Sequence, residues 1–179
     1  MVAFSQPQIR ALLAEADAAA SSYDKGKKLE ELVIHVFGRL PGIEFYKSNV
    51  VNLPQSEEVD VAFFNNKAAK GLPFLEYLLL VECKNWSVPV GANHIREFVT
   101  KLEHRACANG VLIAANGITG NPQDRSAAHD AVRMALAVKH IRLIVITRAE
   151  IETWADTSEI VTLFKRKLCE VTVDGSIFV

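Results

Sequence analysis

Residues 78–86 read LLLVECKNW and form the stretch that decides the fold. An apolar run leads into Glu82 and Lys84, which are two residues apart. In a β-strand alternate side chains share a face, so Glu82 and Lys84 point to one side while Val81 and Cys83 point to the other and join the core. Burying a carboxylate and an ammonium costs desolvation free energy. That cost is recovered only if the two groups pair, bind a metal or meet a charged substrate.

A second strand is predicted upstream, where residues 57–64 read EEVDVAFF and Asp60 interrupts an apolar run. Consecutive strands usually lie side by side, so we expect Asp60 on the same face as Glu82 and Lys84. For an isolated Glu-x-Lys a structural ion pair is the simpler interpretation, but a second carboxylate favours a metal site. Mg²⁺ prefers one or two carboxylates together with water and substrate phosphate. Lys84 would then orient the attacking water and stabilise negative charge on phosphorus.

These residues resemble the PD-(D/E)xK nuclease superfamily, in which an Asp on one strand and a Glu-x-Lys on the next form the catalytic centre. Asp60 matches the aspartate and residues 82–84 match the second motif, while Val59 stands where the superfamily nominally has proline. Four segments are similar to the Mrr-type group of restriction-endonuclease-like enzymes: KGKKLEEL at 25–32, EEVD at 57–60, VECKNW at 81–86 and GITG at 117–120. The resemblance covers residues 25–147.

The resemblance implies a Mg²⁺-dependent endonuclease that hydrolyses DNA phosphodiester bonds in restriction, defence or repair, with Mn²⁺ as a substitute metal. It implies catalytic roles for Asp60, Glu82, Lys84 and Glu30. The metal ligands would be Asp60, Glu82 and the backbone carbonyl of Cys83. Lys84 is expected to face a metal-bound water and a phosphate more than it faces Glu82.

The role of Glu30 also depends on a helix predicted over residues 27–40, whose apolar residues recur at the spacing of an amphipathic helix. At about 100° per residue, Glu30 falls at the edge of the apolar stripe and Glu31 on the opposite face. We expect Glu30 to look toward the sheet and Glu31 to face solvent. A solvated Glu30 without a role in metal binding is the alternative.

A later helix, predicted over residues 94–106, carries cations on its polar side. Lys101, His104 and Arg105 are candidate phosphate contacts, because phosphate binding needs well-placed positive charge or donors. The alternative for each is a solvated helix face. Trp86 either stacks on a base or caps the core, and capping is the favoured interpretation.

Composition sets limits on function. The chain has 20 basic and 21 acidic residues and a formal net charge of −1, so it lacks the general basic character of many DNA-binding proteins. A local basic groove remains compatible with this balance. Three widely spaced cysteines indicate neither a disulfide framework nor a zinc site. Without a membrane-length apolar segment or a signal-peptide pattern, we expect a soluble cytoplasmic protein. The resemblance implies that it acts on DNA. The short chain favours specificity from a homodimer or from a specificity-conferring protein partner.

The predicted fold is a single α/β domain, a three-layer α/β/α sandwich with a mixed central sheet. Residues 1–24 would form an N-terminal helical extension, residues 25–147 the restriction-endonuclease-like core, and residues 148–179 C-terminal helices with a hairpin over 170–179. The first two strands are joined by a turn and should be antiparallel, and strand–helix alternation after Glu82 implies parallel pairing. The predicted helices span 7–20, 27–40, 94–106, 123–139, 147–154 and 158–168, and the predicted strands span 44–51, 57–64, 78–84, 111–115 and 142–147.

Two other functions are compatible with the sequence. One is a catalytically inactive nuclease-fold module that binds nucleic acid or a protein partner. Such a module has little reason to keep Asp60, Glu82 and Lys84 together, so the complete set favours an enzyme. The other is an α/β enzyme that uses Lys84 as a Schiff-base nucleophile, for which the sequence offers no further support.

Overall fold

The structure is a computed structural model that describes residues 2–52, 57–121 and 127–175. These residues form helices α1 to α6, a terminal π-helical turn and strands β1 to β5. The helices are α1 (Gln6–Ala18), α2 (Ser22–Phe37), α3 (Ala92–His104), α4 (Ala128–Lys139), α5 (Arg148–Thr153) and α6 (Thr157–Cys169), and the π-helical turn is Glu170–Asp174. The strands are β1 (Ile43–Val51), β2 (Glu58–Asn65), β3 (Leu78–Lys84), β4 (Asn109–Ala114) and β5 (Arg142–Ile146).

The five strands form one sheet in the order β1-β2-β3-β4-β5. The β1–β2 and β2–β3 pairs are antiparallel, and the β3–β4 and β4–β5 pairs are parallel. The mixed sheet predicted from the sequence is therefore confirmed, including the adjacency of the strands that carry Asp60 and Glu82.

Helices cover both faces of the sheet, which confirms the predicted α/β/α layering. One core joins α1, α2 and α6 to the face that bears Val81, Cys83 and Ile113. The second core joins α3 and α4 to the face that bears Leu80, Leu112 and Val145. Every residue of β4 is buried, as expected for a parallel strand covered on both sides. None of the described helices is long and apolar enough to cross a membrane.

The start of α2 differs from the prediction, which placed a break over residues 21–26. Ser21 is the N-cap, and its side chain accepts a hydrogen bond from the amide of Asp24. Gly26 then lies inside the helix, where its low helix propensity costs only about 1 kcal/mol. The helix therefore begins next to its N-cap in spite of the glycine, and Tyr23 and Lys27 both belong to α2.

Asn109 and Gly110, which lie between the predicted helix over 94–106 and the predicted strand over 111–115, begin β4. A Cβ atom at Gly110 would lie 2.5 Å from Cδ1 of Leu102. The glycine therefore serves close packing of α3 on the sheet and not a turn. This packing brings the polar side of α3 close to β3.

The prediction of a C-terminal hairpin is also wrong over the described residues, because residues 170–174 form the π-helical turn. A strand would place Val171 and Val173 on one face, whereas Val171 is buried and Val173 is 79% exposed. Three predicted segments lie outside the described residues: residues 176–179, the linker 53–56 and the predicted start of α4 over 123–126.

The side chains of Thr147 and Glu150 form a capping box at the start of α5.

Candidate active site

The site begins where β2 and β3 stop pairing. Their register ends at Val61 opposite Val81. One residue further, Oδ2 of Asp60 accepts a hydrogen bond of 2.6 Å from the backbone amide of Cys83. The side chain of Asp60 thus takes the place of a backbone acceptor. Its other oxygen, Oδ1, accepts no hydrogen bond from the described residues.

The carbonyl of Cys83 belongs to the same edge of β3. In an extended strand the amide and the carbonyl of a residue point to the same side, as the paired bonds of antiparallel strands require. The Cys83 amide points to Asp60, so its carbonyl points to that side as well. The next carbonyl, of Lys84, accepts from Ala115 on the β4 side, as this alternation requires.

Glu82 is 3% exposed and is held by two lysines. Its Oε1 accepts from Nζ of Lys84 at 2.8 Å and from Nζ of Lys101 at 2.8 Å, and its Oε2 accepts from Lys101 at 3.1 Å. In this structure Lys84 therefore forms an ion pair with Glu82, and the expectation that it faces a metal-bound water and a phosphate more than it faces Glu82 stays a prediction. A carboxylate buried to this degree needs charge partners to offset its desolvation, and α3 contributes the second one.

The charges of the site shift the titration of its members. Burial raises the pKa of Asp60 to about 6, and the Glu82 carboxylate adds to the rise. Burial lowers the pKa of Lys84, but attraction to Glu82 and Asp60 outweighs it and the net pKa is raised. Lys84 is thus protonated at neutral pH. This disfavours Schiff-base chemistry, which needs a neutral amine.

Glu30 approaches the site from α2. It is 7% exposed, and Nζ of Lys27 lies 3.0 Å from each of its oxygens. Burial raises the pKa of Glu30, which Lys27 partly offsets. Glu31 is exposed and pairs with Lys28, so the two adjacent carboxylates face opposite ways, as the helical periodicity predicts.

Lys27 was missed by the sequence reasoning. It pairs with Glu30 and also donates to the side chain of Asn49 on β1. The signal that identifies it is its i, i+3 spacing from Glu30, which places the two on one helix face.

Four of the sequence-predicted site residues line one cleft of about 220 Å³ between α2 and the end of β3: Asp60, Glu30, Lys84 and Cys83. The complete lining is Ser22, Tyr23, Gly26, Lys27, Glu30, Glu58, Asp60, Cys83, Lys84, Asn85 and Trp86. The cleft therefore combines acidic groups, two lysines and two aromatic rings.

The three candidate phosphate contacts on α3 are all engaged with acidic groups. Lys101 binds Glu82. Nδ1 of His104 lies 2.6 Å from Oε1 of Glu57, and Arg105 donates to Oε2 of Glu57 at 2.8 Å and to its backbone carbonyl at 3.2 Å. These bonds fasten the end of α3 to the start of β2. Phosphate binding by these residues stays a prediction.

The donor set fits a hard divalent cation. Among the described residues no group of three or more His, Cys, Asp or Glu side chains is arranged to hold a metal ion. Mg²⁺ does not require such a cage, because it keeps several waters and takes one or two carboxylates. The uncommitted Oδ1 of Asp60, the Cys83 carbonyl and the nearby Glu82 are oxygen donors of the required kind.

Comparison with known proteins gives one family. A family model described as Mrr_cat, restriction endonuclease, matches residues 24–154. The match includes Glu30, Asp60, Glu82, Cys83 and Lys84, whereas Ser22 and Tyr23 of the cleft lining lie just before it. A search among curated proteins found no match.

Proposed function

The chain belongs to the Mrr_cat family of restriction endonucleases, and we propose that it is a Mg²⁺-dependent endonuclease that hydrolyses DNA phosphodiester bonds. The family makes the chain a nuclease domain in general terms. The observation that supports the finer assignment is the cleft in which Asp60, Glu30, Lys84 and the end of β3 meet. We place its activity in restriction, defence or repair.

In this proposal Asp60, Glu82 and the Cys83 carbonyl hold Mg²⁺, with Glu30 assisting from α2, and Mn²⁺ substitutes for it. Bound Mg²⁺ supplies Lewis-acid stabilisation of the negative charge on the phosphate. Glu82 must then release at least part of its contact with Lys84 or Lys101, because both of its oxygens accept from these lysines.

Lys84 orients the attacking water and stabilises charge. In the reaction a water oxygen bonds to phosphorus and releases a proton to solvent, the bond from phosphorus to the leaving oxygen breaks, and the leaving oxygen takes up a proton from solvent. Negative charge is spread over the non-bridging oxygens in the transition state. Lys84 is protonated, so its ammonium donates hydrogen bonds to this charge and does not act as the base.

The decisive experiment is a cleavage assay on plasmid, linear, single-stranded and branched DNA with Mg²⁺, with Mn²⁺ and with EDTA. We expect metal-dependent cleavage that Asp60→Asn and Lys84→Ala each reduce by at least 100-fold, in the range of losing a principal charge-stabilising group. Lys28→Ala is the matched lysine control, since Lys28 pairs with Glu31 on the exposed face of α2. Undiminished cleavage by Asp60→Asn would refute the assignment.

The second candidate is a nuclease-fold module that binds nucleic acid or protein without turnover. The observation in its favour is that Lys84 and Lys101 both form ion pairs with Glu82. The negative charge of this carboxylate is therefore balanced without a metal. Isothermal titration with Mg²⁺ and Mn²⁺ separates the two candidates. Binding that Asp60→Asn abolishes supports the enzyme, whereas no heat of binding supports the module.

We further propose that double-strand cleavage needs a second copy of the chain or a specificity-conferring partner. One chain has one set of Asp60, Glu82 and Lys84 and cuts one phosphodiester bond at a time. Nicked plasmid that accumulates before linear plasmid, with a rate of linearisation that rises steeply with protein concentration, is the expected pattern for a homodimer.

A further inference from the structure

Two aromatic rings line the cleft beside the acidic groups. Tyr23 lies in the first turn of α2 and is 70% exposed, and Trp86 follows β3 in the chain and packs partly against the second core. Both belong to the lining that contains Asp60 and Lys84. Single exposed aromatic residues are common on protein surfaces, so exposure alone assigns them no role.

Each ring has a lysine of the site beside it. Nζ of Lys27 lies 5.4 Å from the centroid of the Tyr23 ring, and Nζ of Lys84 lies 5.6 Å from the centroid of the Trp86 ring. A nucleotide carries a flat base and, one sugar away, a negative phosphate. Each ammonium lies over one face of its ring, so a ring that stacks a base on its other face, together with its ammonium, matches both parts of one nucleotide.

The segments that carry the two rings are tied together. The side chain of Asn85 donates a 3.2 Å hydrogen bond to the carbonyl of Lys25, which lies between Tyr23 and Lys27 in α2. The carbonyl of Trp86 accepts a 2.5 Å bond from Asn116. His94 packs edge-on against the Trp86 ring, with 4.7 Å between the centroids. These contacts tie together the backbone segments that carry the rings, and His94 also packs against the Trp86 ring itself.

We propose, resting on the nuclease function proposed above, that the cleft accepts an unpaired nucleotide whose base stacks on Trp86 or Tyr23. The substrate class is thus single-stranded DNA, or duplex DNA opened next to the cleaved bond. A paired base is already stacked within its duplex and is available to a protein ring only after it is flipped out, which costs a few kcal/mol.

The charges around the cleft support the same substrate class. Continuous duplex binding relies on many phosphate contacts from lysine and arginine. Here Lys27, Lys84 and Lys101 are each paired with a carboxylate, and the chain as a whole has a net charge of −1. Stacking on aromatic rings supplies binding free energy that does not depend on net positive charge.

The test measures binding by fluorescence anisotropy, in the Asp60→Asn protein with Mg²⁺ so that substrate persists. The probes are a labelled 12-nucleotide single strand and the blunt duplex of the same sequence. We expect the single strand to bind at least tenfold more tightly than the duplex. Tyr23→Ala and Trp86→Ala should each weaken single-strand binding about tenfold, which is the usual effect of losing one stacking ring. Trp86→Phe should retain most of the affinity, since it keeps a ring.

Tyr46→Ala is the matched control, because Tyr46 is also 70% exposed but lies on β1 outside the cleft lining. A second readout is tryptophan fluorescence. The chain has two tryptophans, and Trp154 is 3% exposed, so quenching by the single strand should be lost in Trp86→Phe.

The outcomes separate this inference from the nuclease proposal. Equal affinity for strand and duplex, or unchanged affinity in both alanine variants, overturns the substrate class even if the wild-type protein cleaves DNA. Absence of cleavage by the wild-type protein on every DNA tested, together with ring-dependent strand binding, overturns the nuclease proposal and supports the unpaired-nucleotide site.

Discussion

At the scale of single residues, Asp60 contributes to the site at a cost in folding stability. Its pKa is raised to about 6 by burial and by Glu82, whereas an aspartate in an unfolded chain has a pKa near 4. The folded state therefore holds the proton more tightly. As pH rises from about 4 to about 6 the protein loses stability from this group, and above pH 6 the full penalty of about 3 kcal/mol applies.

Asp60→Asn should remove this penalty. The amide oxygen of Asn can still accept from the Cys83 amide, while the buried charge is gone. We expect the free energy of unfolding at pH 8, in EDTA, to exceed that of the wild type by up to about 3 kcal/mol, with little difference near pH 4. Urea denaturation of both proteins at the two pH values measures this. An equal difference at both pH values would show that charge burial is not the cause.

Glu30 and Glu31 offer an internal comparison. Each is paired with the lysine three residues before it, but only Glu30 is buried at the cleft. If Glu30 assists metal binding, Glu30→Gln should lower cleavage at limiting Mg²⁺ by about tenfold, partly restored by excess Mg²⁺, since outer ligands commonly contribute 10- to 100-fold in affinity. Glu31→Gln should leave the rate unchanged. Equal rates in the two variants would exclude a role for Glu30.

The placement of Glu82 and Lys84 on one face follows from strand periodicity and was predictable. The second charge partner of Glu82 was not, because it depends on α3 crossing the sheet at a distance that Gly110 and Leu102 set. The bond from Lys101 to Glu82 joins residues 19 positions apart. The spacing of apolar residues in the sequence indicates which side of α3 is polar. Only the packed structure shows which carboxylate each cationic side chain of α3 binds.

At the scale of elements, α5 and α6 are joined by Glu150. Its side chain closes the capping box with Thr147, and its Oε1 lies 2.8 Å from Nζ of Lys167, which is 1% exposed. One carboxylate thus caps one helix and neutralises a buried ammonium of the next. The sequence indicates the cap, but the buried lysine follows from how α6 packs.

Glu150→Gln should therefore lower the free energy of unfolding more than the loss of a helix cap alone does. Removing the carboxylate from a buried charge pair typically costs about 3–5 kcal/mol, whereas losing a cap costs about 1 kcal/mol. Replacing Lys167 with Met in the same protein should recover most of the loss, because the buried ammonium that Glu150 binds is then absent as well. Thermal and urea unfolding of the single and double variants test this. A double variant no more stable than Glu150→Gln would contradict the explanation.

At the scale of the whole molecule, the segments outside the family match are joined to each other. The family match ends at residues 24 and 154. The amide of Phe4 donates to the carbonyl of Ala155, and the amide of Thr157 donates to the carbonyl of Val2. Arg148 binds Asp17 of α1. We propose that these flanks fold as one domain with the matched region, and not as an independent extension.

Removal of residues 1–20 tests this arrangement. It deletes Phe4, Ile9 and Leu13, all of which are buried in the first core. At about 1.5–3 kcal/mol for each buried side chain, the loss approaches the whole stability of a typical domain. We expect the shortened protein to unfold at a much lower urea concentration or to aggregate. A midpoint within 0.5 M of the full chain would show that α1 is an appendage.

At the junction between β2 and β3, the backbone amide of Cys83 reports on the charge of Asp60. The Cys83 amide is bonded to a carboxylate and not to a backbone carbonyl, so its proton senses the ionisation of Asp60 directly. In a ¹H–¹⁵N NMR spectrum the Cys83 resonance should move with a midpoint near pH 6, the pKa of Asp60. Divalent metal ions that bind Asp60 should shift the same resonance. The sheet therefore contains a spectroscopic reporter of the cleft that needs no attached probe and no substrate.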